Sequence, residues 1–220
     1  MSRTRRASAS GEQWVVANVD RRDTALDETT KGVEAVIHCA SNQPTAATTD
    51  IGGTSNLLAA AKNAGVRHFI YVSIVGIDGA EQPYYGAKVA AELAVMGSTL
   101  PWTILRTTQF HELLGEWLTM AAEGGPMLLA EGVRFRPVAT SEVADRLVEL
   151  VNVGVSGRVR DLAGPEILSV EELAERHEEA TGVHAPIRLA EEGTPAAAFL
   201  GGAQVGGDCD LGRIEFGAEQ

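Results

Sequence analysis

Short, nearly continuous apolar runs alternate along this chain with segments whose apolar residues recur at helical spacing. Residues 13–19 (QWVVANV), 35–40 (AVIHCA), 68–73 (HFIYVS) and 101–106 (PWTILR) read as buried strands. Between them, residues 24–31, 48–64, 84–96 and 110–122 read as helices. In the second of these Leu57, Leu58 and Ala61 share a face, and Gly65 is placed to stop it; Gly97 closes the third. Strands covered on both faces lack the strict alternation of half-exposed ones. Strand–helix alternation with helices of this length predicts βαβ units around a mostly parallel sheet, an α/β fold.

Beyond residue 122 the rhythm loosens. Residues 126–130 and 133–138 are short strand candidates joined by Glu131 and Gly132. Ser141 is the expected N-cap of a helix whose apolar face is Val143, Ala144, Leu147, Val148 and Val151. A short strand is expected at 158–162, then an acidic amphipathic helix over 170–181 capped by Ser169. Its Glu171, Glu172, Glu175, Glu178 and Glu179 read as a solvated face. From Gly193 the chain is rich in Gly and Ala with little periodicity. Residues 1–12, with Arg3, Arg5 and Arg6 among small residues, read as a flexible basic tail. There is no internal repeat.

Composition narrows the function classes. The 220 residues carry 18 Lys and Arg against 30 Asp and Glu, a formal net charge of -12. Such a field repels nucleic acid phosphates and acidic membrane surfaces, so neither partner is expected, and the Arg3–Arg6 cluster is too short to overturn this. Apolar residues make up 45% of the chain, enough for a real core. Only Cys39 and Cys209 are present, which argues against a disulfide scaffold. No run reaches the roughly 18 to 20 apolar residues of a membrane span, and no secretory signal follows the basic start. The expectation is a cytoplasmic protein, monomer or homodimer, acting on a small molecule.

In an open parallel sheet, ligands bind beyond the C-terminal ends of the strands. The loops there are 40–44, 73–85 and 107–111. Tyr84 and Lys88 stand four apart at a helix start, which puts both side chains on one face. An ammonium near a phenol favours the phenolate and lowers the tyrosine from its usual value of about 10, as a proton donor to a carbonyl under reduction requires; the lysine could also hold a cofactor ribose. The alternative is a surface pair at common spacing. His38, inside a strand, reads as a core histidine, and His111, beside the third loop, as a candidate substrate contact. His177 and His184 flank a helix end and look ordinary. Trp102 and Trp117 read as core or pocket wall. No His, Cys or Asp cluster has metal-ligand spacing.

At residues 50–73, DIGGTSNLLAAAKNAGVRHFIYVS, the chain resembles a helix and following strand of extended and atypical short-chain dehydrogenases/reductases. Asp50, Gly53, Thr54, Asn56, Leu57, Leu58, Gly65 and Val66 carry the spacing. SIVGID, YYGAKVAAE and PWTILRTTQF resemble the NmrA-like NAD(P)-binding branch, so the resemblance spans about 13–170. It implies a Rossmann-like NAD(P)-binding core over 13–125 and a variable C-terminal lobe over 126–220 with strands returning to the core. By position, Cys39, Ala40 and Ser41 match the loop over the adenine ribose and pyrophosphate. Val72 and Ser73 match the strand end beside the nicotinamide ribose, Tyr84 and Lys88 the active-site pair, and Thr107, Thr108 and Gln109 the segment bordering the nicotinamide.

Three departures qualify the resemblance. The family's glycine-rich loop is absent: no G-x-x-G-x-x-G precedes residues 13–19. Without it the pyrophosphate loses backbone N–H donors and a helix N-terminus. The expectation is a sheet entered after the family's second strand, through a mis-assigned start, a partial product, or a gap covered by a partner. Arg3, Arg5 and Arg6 would then be remnants of a grip on the NADP 2′-phosphate, favouring NADP over NAD. Second, Ile74 falls where the family places a catalytic hydroxyl, which a shift of one residue would restore as Ser73; Ile74 is then a substrate contact. Third, the C-terminal GGAQVGGDCDLGRIEF lacks a periodic helix.

The expected function is an NAD(P)-dependent oxidoreductase of a small organic carbonyl or quinone-type substrate, with Tyr84, Lys88 and Ser73 as its catalytic groups; the alternatives are a non-catalytic dinucleotide-binding sensor or regulatory protein, or a truncated member with impaired cofactor binding.

Overall fold

The computed structural model describes residues 13–79, 82–124, 128–129, 132–189 and 205–218. They divide into two compact units, one of Met1–Val72, Pro83–Ile104 and Leu150–Arg158, the other of Ser73–Gln82, Leu105–Glu149 and Val159–Gln220.

In the first unit, α1 (Thr24–Thr30) starts on Asp23, whose carboxylate accepts the Leu26 N–H, a side-chain N-cap. β1 (Ala35–His38) pairs in parallel with β2 (His68–Ile74), Ala35 opposite His68. The intervening helix opens as a π-helical segment, Ala47–Gly53, and continues as α2 (Thr54–Asn63). Gly53 is required here: a Cβ would come within 2.8 Å of the Val19 side chain. α3 (Pro83–Met96) packs on α2 and on the π-helical segment, and α1 packs on α2. β3 (Trp102–Thr107) pairs in parallel at Thr103 and Ile104 with β6 (Gly157–Arg158). His68 and Thr103 are tied by a 2.8 Å hydrogen bond between Nε2 and Oγ1. Leu26, Leu57, Ala61, Phe69, Tyr71, Val95 and Ile104 form this unit's core.

In the second unit the end of β3 pairs in parallel with β7 (Leu162–Ala163), and β7 with β10 (Asp210–Leu211). α4 (His111–Ala122) packs on α6 (Val170–Thr181). α6 opens with a capping box in which Ser169 and Glu172 satisfy each other's backbone N–H. β4 (Leu128–Leu129) pairs in parallel with β9 (Arg188–Leu189), and β5 (Arg134–Phe135) antiparallel with β8 (Leu168–Ser169). α5 (Thr140–Val153) begins in this unit and ends in the first. The core is Leu114, Leu118, Phe135, Leu168, Leu173 and Phe216 with their neighbours. The mostly parallel sheet with flanking helices is the Rossmann-like α/β class expected from the strand–helix alternation.

Several local expectations are corrected. Residues 13–19 are not a buried strand: Val16 makes a single bridge and is half exposed. The polar groups there are taken up elsewhere, the Val19 carbonyl by the Asn56 amide at 2.9 Å and the Asn18 side chain by the Asp20 N–H at 3.1 Å. Ser141 is not an N-cap, because α5 already begins at Thr140, whose hydroxyl donates to Glu112. The strand expected at 158–162 is two strands, β6 and β7, pairing at different points along β3. The C-terminal segment, which lacks a periodic helix, is held instead by the Gly212 N–H, which donates to the Ala163 carbonyl at 2.8 Å, and by the buried Phe216. The 1–12 tail, with Arg3, Arg5 and Arg6, lies outside the described residues, as do residues 190–204.

Candidate functional site

α3 begins one residue before Tyr84, so Tyr84 and Lys88 lie one turn apart at its start. The helix buries Lys88 (3% exposed) and leaves Tyr84 half-buried. The loop leaving β1 carries Cys39 (exposed), Ala40 and Ser41 toward the same turn. Ser41 donates its hydroxyl to Asp50 Oδ1 at 2.7 Å, and its Oγ lies 2.9 Å from the Tyr84 hydroxyl. A carboxylate oxygen only accepts, so the Ser41 proton is committed to Asp50 and Tyr84 is the donor in the second bond. The Asn42 N–H reaches the other Asp50 oxygen at 3.2 Å.

Lys88 completes the cluster. Its Nζ donates to the Val72 carbonyl at 3.0 Å, stands 3.6 Å from Asp50 Oδ1, and lies 4.4 Å from the centroid of the Tyr71 ring. Asp50 is fully buried. Two unlike charges withdrawn from water to this extent require each other and further hydrogen bonds, and both have them. Burial draws the Lys88 ammonium below the usual lysine value, and the charge of Asp50 opposes that shift.

The phenol corrects an expectation. Tyr84 is raised above the ordinary tyrosine value: burial lifts it, the Ser41 bond opposes, and the Asp50 charge adds to the rise. The lysine that was expected to lower it is turned onto Asp50 and Val72. His38 is the core histidine expected: it is 1% exposed, bonded through Nε2 to Thr54 Oγ1 at 2.9 Å, and held down to about 3 by burial and by the nearby Lys88 charge.

Asp50 was missed as a site residue, although its signal was present: it is the single acid between Glu34 and Asp78. A lone carboxylate among small and apolar residues is held by something specific, and in the fold that is Lys88.

The second unit holds the remaining candidates. Ser73 and Ile74 end β2, Thr107 ends β3, and Thr108 and Gln109 follow; all are buried except the half-buried Ile74. The Thr108 N–H donates to the Leu162 carbonyl at 3.1 Å and the Val138 N–H to Gln109 at 2.9 Å, which pins this loop. The hydroxyls of Ser73 and Thr108 are buried with no hydrogen-bond partner among the described residues. His111 is buried, its Nε2 3.2 Å from the Pro137 carbonyl and its ring edge-on to Phe216 at 5.4 Å. Arg106, 2% exposed, forks onto both oxygens of Asp78, on the turn after β2.

A family model described as NAD(P)H-binding matches residues 2–153. The chain belongs to this NAD(P)H-binding family. That bears out the dinucleotide-binding resemblance and makes NAD(P) the cofactor class. No curated protein matches the sequence significantly. Among solved structures, the Bordetella bronchiseptica enzyme WbmH in complex with NAD+ aligns with a TM-score of 0.69 and 18% identity, over 88% of this chain and 75% of that one. The NADPH-dependent quinone oxidoreductase QOR2 of Escherichia coli, complexed with NADPH, aligns at 0.68 and 21%, over 86% and 72%. The Citrobacter sp. triphenylmethane reductase complexed with NADP(H) aligns at 0.63 and 20%, over 80% and 62%. At these identities the likeness is one of fold.

The second unit by itself offers groups that suit the nicotinamide half of the cofactor. Two buried hydroxyls without partners among the described residues, Ser73 near the end of β2 and Thr108 just after β3, suit the hydroxyls and carboxamide of a nicotinamide riboside. For the pyrophosphate, no described strand-to-helix turn carries G-x-x-G-x-x-G. Among the described residues no helix is long and apolar enough to cross a membrane.

Proposed function

We propose that this chain is an NAD(P)-dependent oxidoreductase reducing a small organic carbonyl or quinone-type substrate. The observation that carries the reading is the hydrogen-bonded line from Tyr84 through Ser41 to Asp50, joined from the other side by Lys88. The bound cofactor supplies the hydride, and a carbonyl that receives one needs a proton at oxygen. In this reading Tyr84 gives that proton. Ser41 then turns its hydroxyl from Asp50 to the phenolate, and Lys88, held by Asp50 and the Val72 carbonyl, binds a ribose hydroxyl. Ser41 is exposed, so the phenol regains its proton from water. By the resemblance, Cys39 and Ala40 border the adenine ribose and pyrophosphate and Val72 the nicotinamide ribose; Thr107, Thr108 and Gln109 border the nicotinamide, Ser73 offers a hydroxyl, and Ile74 and His111 contact the substrate.

The second reading, a dinucleotide-binding sensor without turnover, is favoured by one observation: in this state the Tyr84 proton points at Ser41 and its phenol is raised. Tyr84→Phe separates the two. NADPH oxidation is followed with a panel of quinones and ketones, and cofactor binding by calorimetry. Turnover in the parent chain that falls at least a hundredfold in the variant, with cofactor binding retained, is the expected result. Unchanged turnover would remove Tyr84 from the mechanism, and cofactor binding without turnover in the parent would favour the sensor.

A further inference from the structure

The second unit contains an open cleft of about 890 Å³, bounded by the start of α4, the C-terminal end of α6 and residues 215–218. The redox reading uses only His111 from its walls. The others include Glu112, Gly115, His177, Glu179, Glu215 and Phe216.

What these walls can offer a ligand follows from the hydrogen bonds they already make. The Pro137 carbonyl can only accept, so the His111 Nε2 that lies 3.2 Å from it carries the proton. Burial draws the ring below the ordinary imidazole value, so it is neutral at pH 7 and its Nδ1 is a bare acceptor. His177 reaches the same state by another route. Thr119 donates its hydroxyl to the Gly115 carbonyl at 2.8 Å, so at 3.5 Å its oxygen can only receive from His177 Nε2. Burial likewise lowers His177, and Nδ1 is again the acceptor left over. Both rings are more than nine-tenths buried.

The carboxylates of Glu179 and Glu215 add further acceptors, and the α6 C-terminus adds the negative end of a helix dipole. Among the described lining residues the one cation, Arg176, is forked onto Glu166, with one contact at 2.9 Å. Among the described residues the cleft thus presents acceptors and negative charge, an aromatic ring at Phe216, and no uncommitted side-chain cation.

We infer that this cleft binds a small organic cation, an ammonium on an apolar or aromatic frame. The ammonium hydrogens meet the two imidazole Nδ1 atoms and the carboxylates, and the frame lies against Phe216. An anion of the same shape meets only acceptors and is repelled. This inference concerns which ligand the cleft holds and stands whether or not the chain is a reductase.

The test is calorimetric titration of the full chain, without cofactor, by three isosteric probes: 2-phenylethylammonium, 2-phenylethanol and phenylacetate. The ammonium is expected to bind at least tenfold more tightly than the alcohol, and phenylacetate not to bind. Glu215→Gln should weaken the ammonium about threefold, since exposed charges contribute modestly. Gly115→Leu should abolish its binding: a Cβ there meets nothing within 4 Å, so the side chain fills the cleft while the helix gains a better former. Phenylacetate or the alcohol binding as tightly as the ammonium, unchanged affinity in Gly115→Leu, or no binding by any probe would each overturn the inference.

Discussion

Asp50 Oδ1 lies 3.6 Å from Lys88 Nζ, and both side chains are almost wholly withdrawn from water. The same oxygen accepts the Ser41 hydroxyl, which in turn accepts from Tyr84. One buried carboxylate thus orients the lysine and, through a serine, the tyrosine. Asp50 is a positioning residue for the pair that the proposed reduction relies on.

Removing Asp50 leaves a buried ammonium without its counter-charge. Asp50→Ala is expected to lower stability by about 3 to 5 kcal/mol. The double variant Asp50→Ala/Lys88→Met should recover most of that loss, because the orphaned charge is gone. Urea unfolding of the two variants and the parent chain measures both. Equal destabilisation in the single and double variants would show that the ion pair is not what Asp50 supports.

When Tyr84 ionises, Ser41 turns its hydroxyl onto the phenolate, and that bond opposes the rise of the Tyr84 phenol. Ser41→Ala should therefore raise that phenol further. The ultraviolet titration of tyrosinate reads it: the chain has three tyrosines, and subtracting the Tyr84→Phe curve isolates one. If the parent chain shows turnover, its pH–rate profile should move in the same direction.

His38 binds no proton in the folded chain until about pH 3, whereas the unfolded imidazole takes one near 6.5. Between these values the unfolded state holds the extra proton, so stability falls as pH drops through this window, by about 1.4 kcal/mol per pH unit at full effect. His38→Gln should flatten the slope of unfolding free energy against pH between 6 and 4 relative to the parent. An identical slope would show that other groups set the acid response.

Glu142 accepts the backbone N–H of Arg213 at 2.5 Å and of Ile214 at 3.4 Å, holding the segment that seats Phe216. Glu142→Ala is expected to cost about 1.5 to 3 kcal/mol, the range for hydrogen bonds to a charged group. Hydrogen exchange at residues 213 and 214 should accelerate with it. Unaltered exchange would mean that the segment is held by β10 and Phe216 alone.

Much of the architecture was legible along the chain. The runs at 35–40, 68–73 and 101–106 became β1, β2 and β3 because fully buried parallel strands need uninterrupted apolar residues. The helices opening at Thr24, Pro83 and Val170 were legible because caps and helix periodicity act within a few residues. Where the pattern failed, distant partners had decided. Residues 13–19 have strand composition, but Asn56 takes the carbonyl that a ladder would use. Residues 158–162 divide because two points along β3 accept two short strands.

The sequence by itself determined the α/β class and the helix that brings Tyr84 and Lys88 to one face, since both are written in short-range spacing, and its motifs carried the resemblance to the NAD(P)H-binding family that the family model shows. The tertiary structure alone decided what those side chains touch. Lys88 faces Asp50, 38 positions away in the chain, and Tyr84 faces Ser41, 43 positions away. Burial, which no local pattern encodes, turned an expected low phenol into a raised one. The same cause made His111 and His177 neutral acceptors in a cleft assembled from two helices and a C-terminal segment without periodicity. Charges and lone pairs act through space over a few ångströms, and only folding brings such distant positions that close.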